Sequence, residues 1–163
     1  MTVGPTIRGD WLKKLNIPTP ETIDDWHNML VAFKTKDPNG NGKADEVPFT
    51  PAWSTGFTNQ ILAFNKAKAF VGAYGTDVSF YQVKGVVKYG PLDPQFKDFL
   101  KTMAQWYKEG LIDPDWVNMD AKLRDARITG SQLGSLIAYG GSGIGTYTTL
   151  MAGKEPAGFQ LVG

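Results

Sequence analysis

The sequence predicts an α/β domain in which helices flank a largely parallel β-sheet. Segments rich in β-branched and aromatic residues alternate with segments of helical periodicity along most of the 163 residues. A chain of this length can bury a core of its own, and we find no internal repeat, low-complexity tract or linker that would divide it. We therefore expect one domain over residues 1–163.

The first elements are a short strand at residues 2–8, a brief helix at 9–16 and a clear helix at 19–34. Thr22 followed three residues later by Asp25 resembles a capping box, with Asp in place of the usual Glu or Gln. Apolar residues then recur at spacings of three and four, which places them on one helical face. They are Ile23, Trp26, Leu30 and Phe33.

A polar loop separates this helix from a predicted strand at residues 47–50 and a predicted helix at 54–64. Residues 79–89 then form two runs of β-branched and aromatic residues around Lys84 and Gly85, the pattern of a β-hairpin.

Residues 91–110 contain the strongest helical signal. Pro94 suits the first turn of a helix, and Gly110 is placed to end it. Between them one apolar stripe is predicted to face the core rather than a cofactor. Its members are Phe96, Phe99, Leu100, Met103, Trp106 and Tyr107.

Residues 111–120 form a turn-rich connection. Asp113 and Asp115 flank a proline there, so that a turn or capping role is favoured over a catalytic pair. The remaining elements are a helix, a strand, a helix and a terminal strand, at residues 121–128, 133–139, 145–153 and 159–163.

Composition excludes several classes of function. The formal net charge is +1, which gives no electrostatic reason to expect nucleic acid as a partner. The chain has no cysteine, which excludes disulfides, thiolate zinc sites and thiol nucleophiles. His27 is the single histidine, so mechanisms that need two histidines are excluded, and its helical setting favours a packing or surface role.

The segment DPNGNGKADE, residues 37–46, places oxygen donors at alternate positions. Counted from Asp37, positions 3, 5 and 9 are Asn39, Asn41 and Asp45, and Lys43 at position 7 would offer its backbone carbonyl. Gly42, at position 6, would supply the sharp bend that a calcium loop needs there.

The loop departs from the EF-hand pattern at its close. Position 12 is Pro48, which cannot replace the usual bidentate Glu, and Glu46 at position 10 is the nearest substitute. A set of oxygen donors favours Ca²⁺ over zinc or copper, in a structural role. The alternative is a hydrated polar turn, because Asn, Gly and Asp dominate turns in any case.

The stretch IRGDWLKKLNIPTPETIDDWHNMLVAFKTKDPNGNGKADEVPF resembles the extracellular solute-binding proteins (family 1) of bacterial carbohydrate ABC importers, in particular the lipoprotein and alginate-oligosaccharide-binding branch. FYQVKGVVKYGP and WYKEGLIDPDW strengthen the resemblance, which covers most of the chain. It implies a periplasmic-binding-protein-like lobe with a mostly parallel sheet flanked by helices.

The resemblance also implies a calcium loop and a set of partners. In the family this loop binds calcium through positions that match Asp37, Asn39, Asn41, the Lys43 carbonyl, Asp45 and Glu46. Members are several times longer and close two lobes on a sugar, so residues 1–163 correspond to most of a C-terminal lobe. The implied partners are an oligosaccharide, the missing lobe and membrane permease subunits. The implied location is extracellular, lipid-anchored at the cell surface or periplasmic.

Two places combine an aromatic side chain with short polar groups at the end of a predicted strand, where α/β sheets bind ligands. The first follows residues 47–50, where Trp53 would stack on a sugar ring and Ser54 would hydrogen-bond. The second follows residues 133–139. Its candidates are Tyr139, Gly141, Ser142 and Tyr147. For Trp53 and Tyr139 the alternative is a packing role.

Other functions are less well supported. The run GGSGIG lacks the last glycine of a dinucleotide-binding fingerprint and the lysine of a P-loop. No pair of carboxylates is indicated by spacing, so we expect no catalysis, although a glycoside-acting site assembled only by the fold stays an alternative. The other alternative is a self-associating domain without ligand binding, with a homodimer as its form.

Overall fold

A computed structural model describes residues 3–51, 69–154 and 160–162. The strands are β1 (Val3–Arg8), β2 (Val47–Thr50), β3 (Phe80–Val83), β4 (Val86–Tyr89), β5 (Leu133–Tyr139) and β6 (Leu161–Val162). The helices are α1 (Gly9–Leu15), α2 (Ile23–Thr35), α3 (Ala69–Gly72), α4 (Pro94–Lys108), α5 (Ala121–Thr129) and α6 (Thr146–Leu150). A π-helical turn, Gly140–Gly145, joins β5 to α6. The helix predicted at residues 54–64 lies outside the described residues.

Local signals place several of these elements as predicted. Thr22 caps α2: its hydroxyl accepts the backbone N–H of Asp25, while the Asp25 carboxylate accepts the N–H of Thr22. The Thr22 hydroxyl also donates to the Asp25 carboxylate at 2.8 Å, and this hydrogen bond, with those from the backbone N–H groups of Thr22 and Glu21, lowers the pKa of Asp25. Pro94 begins α4, and Gly110 follows its end with a φ of 70° that glycine adopts without strain. The predicted capping box and the limits of the strongest helix are therefore confirmed.

The main sheet has four strands in the order β2-β5-β1-β6. β5 pairs with β2 in parallel, whereas β1 runs antiparallel to both β5 and β6. β5, buried along almost its whole length, lies between β2 and β1. Residues Phe49 and Ile112 form an isolated parallel bridge at the other edge of β2.

The α/β class with a helix-flanked sheet is confirmed, but the expected largely parallel pairing is wrong for the described strands. Two helices, α1 and α2, separate β1 from β2. A single crossover helix returns the chain to the start of a parallel strand, whereas two successive helices leave it at the opposite end. The alternation of strands and helices in the sequence indicates the number and order of the elements, but it does not indicate the direction of each strand.

The helices α1 and α2 lie close to the sheet because Gly134 has no side chain. A Cβ atom at Gly134 would lie 2.6 Å from a ring carbon of Phe33 and 2.8 Å from one of Trp11. The rings of Trp11 and Phe33 meet edge to face with centroids 5.1 Å apart. A glycine in β5 thus permits two buried aromatic side chains to pack on the strand.

The apolar stripe of α4 is only partly buried. Phe99, Met103 and Trp106 are in the core, as predicted, but Leu100 and Tyr107 are about half exposed. The prediction that the whole stripe is core was wrong for these two. Six apolar positions cover a wider arc of a helix than one contact surface can bury.

The hairpin β3–β4 forms a separate two-stranded sheet, with Lys84 and Gly85 at its turn at φ values of 49° and 84°. Positive φ at both positions is typical of the tight turns that join hairpin strands. Phe80 and Val87 on this hairpin are strongly exposed. No helix in the described ranges is long and apolar enough to cross a membrane.

Candidate metal and ligand sites

The loop at residues 37–46 curls tightly, and its backbone shows why. Gly40 and Gly42 have φ values of 75° and 73°, and Asp37 also has a positive φ, of 46°. The bend expected at Gly42 is therefore present. The ammonium of Lys14 donates to the Pro38 carbonyl at 2.9 Å and so holds the start of the loop against α1.

Side-chain oxygens at alternate positions bind backbone N–H groups within the loop. The Asp37 carboxylate accepts from the N–H groups of Gly40, Asn41 and Gly42 at 2.9–3.1 Å. The Asn39 amide oxygen accepts from Asn41, and the Asn41 amide oxygen accepts from Lys43. The side-chain oxygens of Asp37, Asn39 and Asn41 are thus held by hydrogen bonds to backbone N–H groups of the loop itself.

Asp45 is held by amide groups. Its carboxylate accepts hydrogen bonds from the side-chain amides of Asn39 and Asn41 at 3.1–3.2 Å and of Gln132 at 3.2 Å. Burial raises the pKa of Asp45, but these donors and the charge of Lys43 outweigh burial, so the pKa is lowered overall. Asp45 is therefore ionised at neutral pH and available to a cation.

Glu46 is the residue of the loop whose surroundings most favour a nearby positive charge. Its Oε1 atom is buried without a hydrogen-bond partner. Burial, together with repulsion from the carboxylates of Asp37 and Asp45, raises the pKa of Glu46. A buried carboxylate oxygen beside two further negative charges costs free energy unless a cation neutralises it.

The carboxylates of the loop are not grouped around one point as the ligands of a bound metal ion would be. Across residues 3–51, 69–154 and 160–162, no group of three acidic or histidine side chains is arranged to hold a metal ion. Three carboxylates, two amide oxygens and a carbonyl are nevertheless the donor chemistry of a hard divalent cation, and the solitary Oε1 atom of Glu46 fits such an ion. The residues that would hold it are Asp37, Asn39, Asn41, Lys43, Asp45 and Glu46.

The carboxyl ends of β2 and β5 lie at one edge of the sheet because these strands are parallel. Thr50 is in register with Leu136, so β5 continues three residues further, to Tyr139. Tyr139 is half-buried at this end, and Gly140, Gly141 and Ser142 after it are exposed. A Cβ atom at Gly140 or Gly141 would meet nothing within 4 Å. This turn therefore offers open backbone to a ligand.

Tyr147 does not belong to this open surface. It is 3% exposed, its hydroxyl donates to the Asp125 carboxylate at 2.6 Å, and it accepts from the Arg124 guanidinium at 2.6 Å. Burial and the Asp125 contact raise the pKa of Tyr147 to about 12. The expectation that it contacts a sugar is corrected: Tyr147, the second residue of α6, faces the core and joins α6 to α5 through its hydroxyl. Trp53 and Ser54 lie outside the described residues.

A third segment reaches the same edge of the sheet, although its sequence predicts only a turn. The parallel bridge between Phe49 and Ile112 gives residues 111–113 the direction of β2, so Asp113 and Trp116 follow its carboxyl end. Asp113 is fully buried and ion-paired with Arg127, which fixes the turn. The expected turn role of Asp113 is confirmed, since its Oδ1 accepts the N–H of Asp115 at 2.9 Å.

Trp116, half-buried, lines a groove of about 620 Å³ beside α4. The groove is almost entirely apolar, and its other prominent members are Phe96, Leu100, Met103, Tyr107 and Val117. The one sequence signal that could have indicated this surface is a tryptophan directly after a turn that follows the apolar pair Leu111 and Ile112.

Known proteins similar to this chain include a substrate-binding protein of an ABC transporter and a lipoprotein. The fructooligosaccharide ABC transporter substrate-binding protein FusA of Streptococcus pneumoniae is 36% identical over 126 residues, 74% of this chain. Lipoprotein LipO of Bacillus subtilis is 37% identical over 134 residues, 76% of this chain. No protein-family profile matches the chain.

Two solved structures share the fold. The alginate-binding protein AlgQ2, in a crystal structure without calcium ion, superposes on 98% of this chain with a TM-score of 0.78 and 34% identity. FusA in complex with kestose superposes on 83% with a TM-score of 0.69 and 31% identity. A further FusA structure is of an EF-hand mutant in complex with fructo-nystose.

The chain spans only part of each of these proteins. It covers 23% of FusA and 24% of LipO by sequence, and 31% of AlgQ2 by structure.

Proposed function

Because the chain belongs to the substrate-binding proteins of bacterial sugar ABC transporters, as a partial-length member, we propose that it is the oligosaccharide-binding C-terminal lobe of such a protein. The observation that carries the proposal is the superposition on AlgQ2 over 98% of the chain. The relatives are binding proteins of transporters rather than enzymes, and we propose no catalytic role for this lobe.

The loop at residues 37–46 is proposed to bind one structural Ca²⁺. Its curled backbone, its three carboxylates and the buried Oε1 atom of Glu46 support this role. A FusA structure described as an EF-hand mutant, and an AlgQ2 structure described as lacking calcium, indicate that relatives have a related site. A cation there would neutralise the repulsion among Asp37, Asp45 and Glu46 and order the connection between α2 and β2.

The sugar is proposed to bind at the carboxyl edge of β2 and β5. Tyr139, Gly141 and Ser142 would offer a ring face, open backbone and a hydroxyl, and Trp53 and Ser54 remain proposed contacts after β2. Trp116 is added because the third segment ends at the same edge. Sugars combine apolar ring faces with hydroxyl edges, so aromatic and short polar side chains suit them.

The setting of the lobe is also proposed from its relatives. The full-length protein would capture an oligosaccharide outside the cell, anchored at the surface or in the periplasm, and deliver it to membrane permease subunits. A second lobe would close over the sugar and supply the other half of the contacts, as in hinged binding proteins. One lobe alone should then bind weakly, because it buries only part of the ligand.

The test is calorimetric titration of the calcium-loaded chain with fructo-oligosaccharides and with alginate oligosaccharides. Nucleotides are the negative control. We expect weak binding of at least one oligosaccharide and none of the nucleotides. Binding only of nucleotides, or release of reducing ends from an oligosaccharide, would contradict a transport role.

Self-association is a second candidate, favoured by exposed apolar side chains. Phe80, Val87 and Leu92 are 70–82% exposed, on and directly after the hairpin. Exposed apolar patches mark association sites or surfaces that another part of a larger protein covers. Light scattering over a range of concentrations decides this: a monomer throughout would exclude homodimerisation.

A further inference from the structure

Gln132 lies outside the expected ligand set, yet it contacts that set from a distant part of the chain. Its Nε2 donates to the Asp45 carboxylate at 3.2 Å across 87 positions of sequence. We infer that Gln132 is a positioning residue, which holds Asp45 in place for the cation and joins the loop to β5. The inference rests on the proposed calcium role of the loop.

The backbone of Gln132 is fixed on both sides. Its N–H donates to the Arg127 carbonyl at 2.8 Å, and its carbonyl accepts the N–H of Val47 at 2.8 Å. Leu133, the next residue, begins β5. The side-chain amide of Gln132 therefore extends toward Asp45 from a fixed backbone position.

The preceding residue, Ser131, is also held in a fixed position. Ser131 is buried with a φ of 56°, and its hydroxyl accepts from the guanidinium of Arg8 at 3.1 Å. Arg8 is itself 1% exposed and ion-paired with Asp10 at 2.6 Å. The Ser131 carbonyl accepts from the amide of Asn39 at 3.2 Å. The turn before β5 thus contacts two of the expected ligands.

The Gln132 contact differs from the other hydrogen bonds to Asp45. Asn39 and Asn41 donate N–H groups to this carboxylate, but a cation takes oxygen donors, so both amides must turn their oxygens toward it. Gln132 has no such change to make. Of the three amide contacts to Asp45, only the hydrogen bond from Gln132 can be retained when the loop binds a cation. Hydrogen bonds of this kind, from a residue that does not itself bind the metal, orient metal ligands.

The test is the calcium affinity of Gln132→Met, which keeps the length of the side chain and removes its N–H donor. Gln105→Met is the matched control, because Gln105 donates to the Glu109 carboxylate on the exposed face of α4. Both are compared with the wild-type chain by calorimetry after chelator treatment. We expect calcium to bind about tenfold more weakly to Gln132→Met and with wild-type affinity to Gln105→Met.

A thermal unfolding series in chelator separates positioning from general support of the fold. We expect the unfolding midpoint of Gln132→Met in chelator to change no more than that of Gln105→Met. Wild-type calcium affinity in Gln132→Met overturns the inference, whether or not the midpoint falls. Gln132→Ala serves as the second variant if the Met variant does not fold. A wild-type chain that takes up no calcium would instead defeat the calcium proposal itself.

Discussion

Ile112 forms a parallel bridge with Phe49, and the backbone N–H of Asp113 donates to the Phe49 carbonyl at 2.8 Å. This contact extends the parallel part of the sheet beyond β2. The carboxyl ends of three parallel segments, those of Ile112, β2 and β5, then lie at one edge of the sheet. Open α/β sheets bind their ligands at such an edge. Trp116 follows Ile112 by four positions, and this is why it is included in the proposed sugar site.

Replacement of Trp116 by Ala should weaken binding of the preferred oligosaccharide by about fivefold, because one stacked aromatic ring is worth about 1 kcal/mol. The measurement is a calorimetric or fluorescence titration of the calcium-loaded chain. Trp26→Ala is the control, since Trp26 is also half-buried but packs on Phe70 in the core. Equal affinity loss in both variants would assign Trp116 to folding alone.

Glu46→Gln should change the unfolding temperature in opposite directions with and without calcium. In chelator the variant should be more stable than the wild type at pH 7, because it removes a buried charge repelled by Asp37 and Asp45. With calcium it should be less stable, because a ligand is lost. Differential scanning calorimetry in both buffers checks this, and the same sign in both would show that no cation meets Glu46.

The raised pKa of Glu46 also fixes a pH dependence for the chelated chain. A carboxyl group whose pKa is higher in the folded state stabilises the fold when protonated, and this contribution is lost as pH rises through the folded pKa. The advantage of Glu46→Gln in chelator should therefore grow as pH rises from about 4 to 7. An advantage independent of pH would exclude charge as its cause.

Tyr147→Phe should cost about 1–3 kcal/mol of unfolding free energy at pH 7, since two buried hydrogen bonds to the phenol are lost. The pKa of Tyr147 is raised to about 12, so the neutral phenol is favoured in the fold. Its contribution is complete below pH 10 and is lost as pH rises toward 12. Denaturant unfolding of both proteins should show their difference shrinking by about 2–3 kcal/mol over that interval.

A difference that stays constant between pH 10 and 12 would show that the Tyr147 phenol is free to ionise in the folded protein. Sugar binding gives an independent check. Because Tyr147 is buried, the Phe variant should bind oligosaccharide as the wild type does at neutral pH.

Gly134→Ala should destabilise the fold by about 1–3 kcal/mol, because its methyl group would overlap Phe33 and Trp11. Gly4→Ala in β1 is the matched control, since a Cβ atom there meets nothing within 4 Å. The control should change stability by about 1 kcal/mol or less. Equal effects in chemical denaturation would mean that α1 and α2 do not pack closely on β5.

Much of the fold is predictable because its signals are local. The capping box of Thr22 and Asp25, the proline that begins α4 and the Lys84-Gly85 turn each involve residues within a few positions of one another. The apolar run of β5 also identifies a buried strand from composition alone. The direction of β1 is different, because it depends on which strands become neighbours in space.

The candidate sites follow the same division. Alternate oxygen donors and the bend at Gly42 can be recognised from spacing, but the contact of Gln132 with Asp45 joins residues 87 positions apart. The burial of Tyr147 depends on Arg124 and Asp125 of another helix. Long-range contacts of this kind leave no periodic pattern in a sequence, so only the folded structure reveals them.

Calorimetric titration of calcium into the chelator-treated chain tests the central claim most directly. The account predicts one ion per chain, bound by the wild type and not by Asp37→Ala, and a gain of about 2.7 kcal/mol in unfolding free energy when calcium is at 100 times its dissociation constant. No uptake of calcium by the wild type, or equal uptake by Asp37→Ala, would contradict the account.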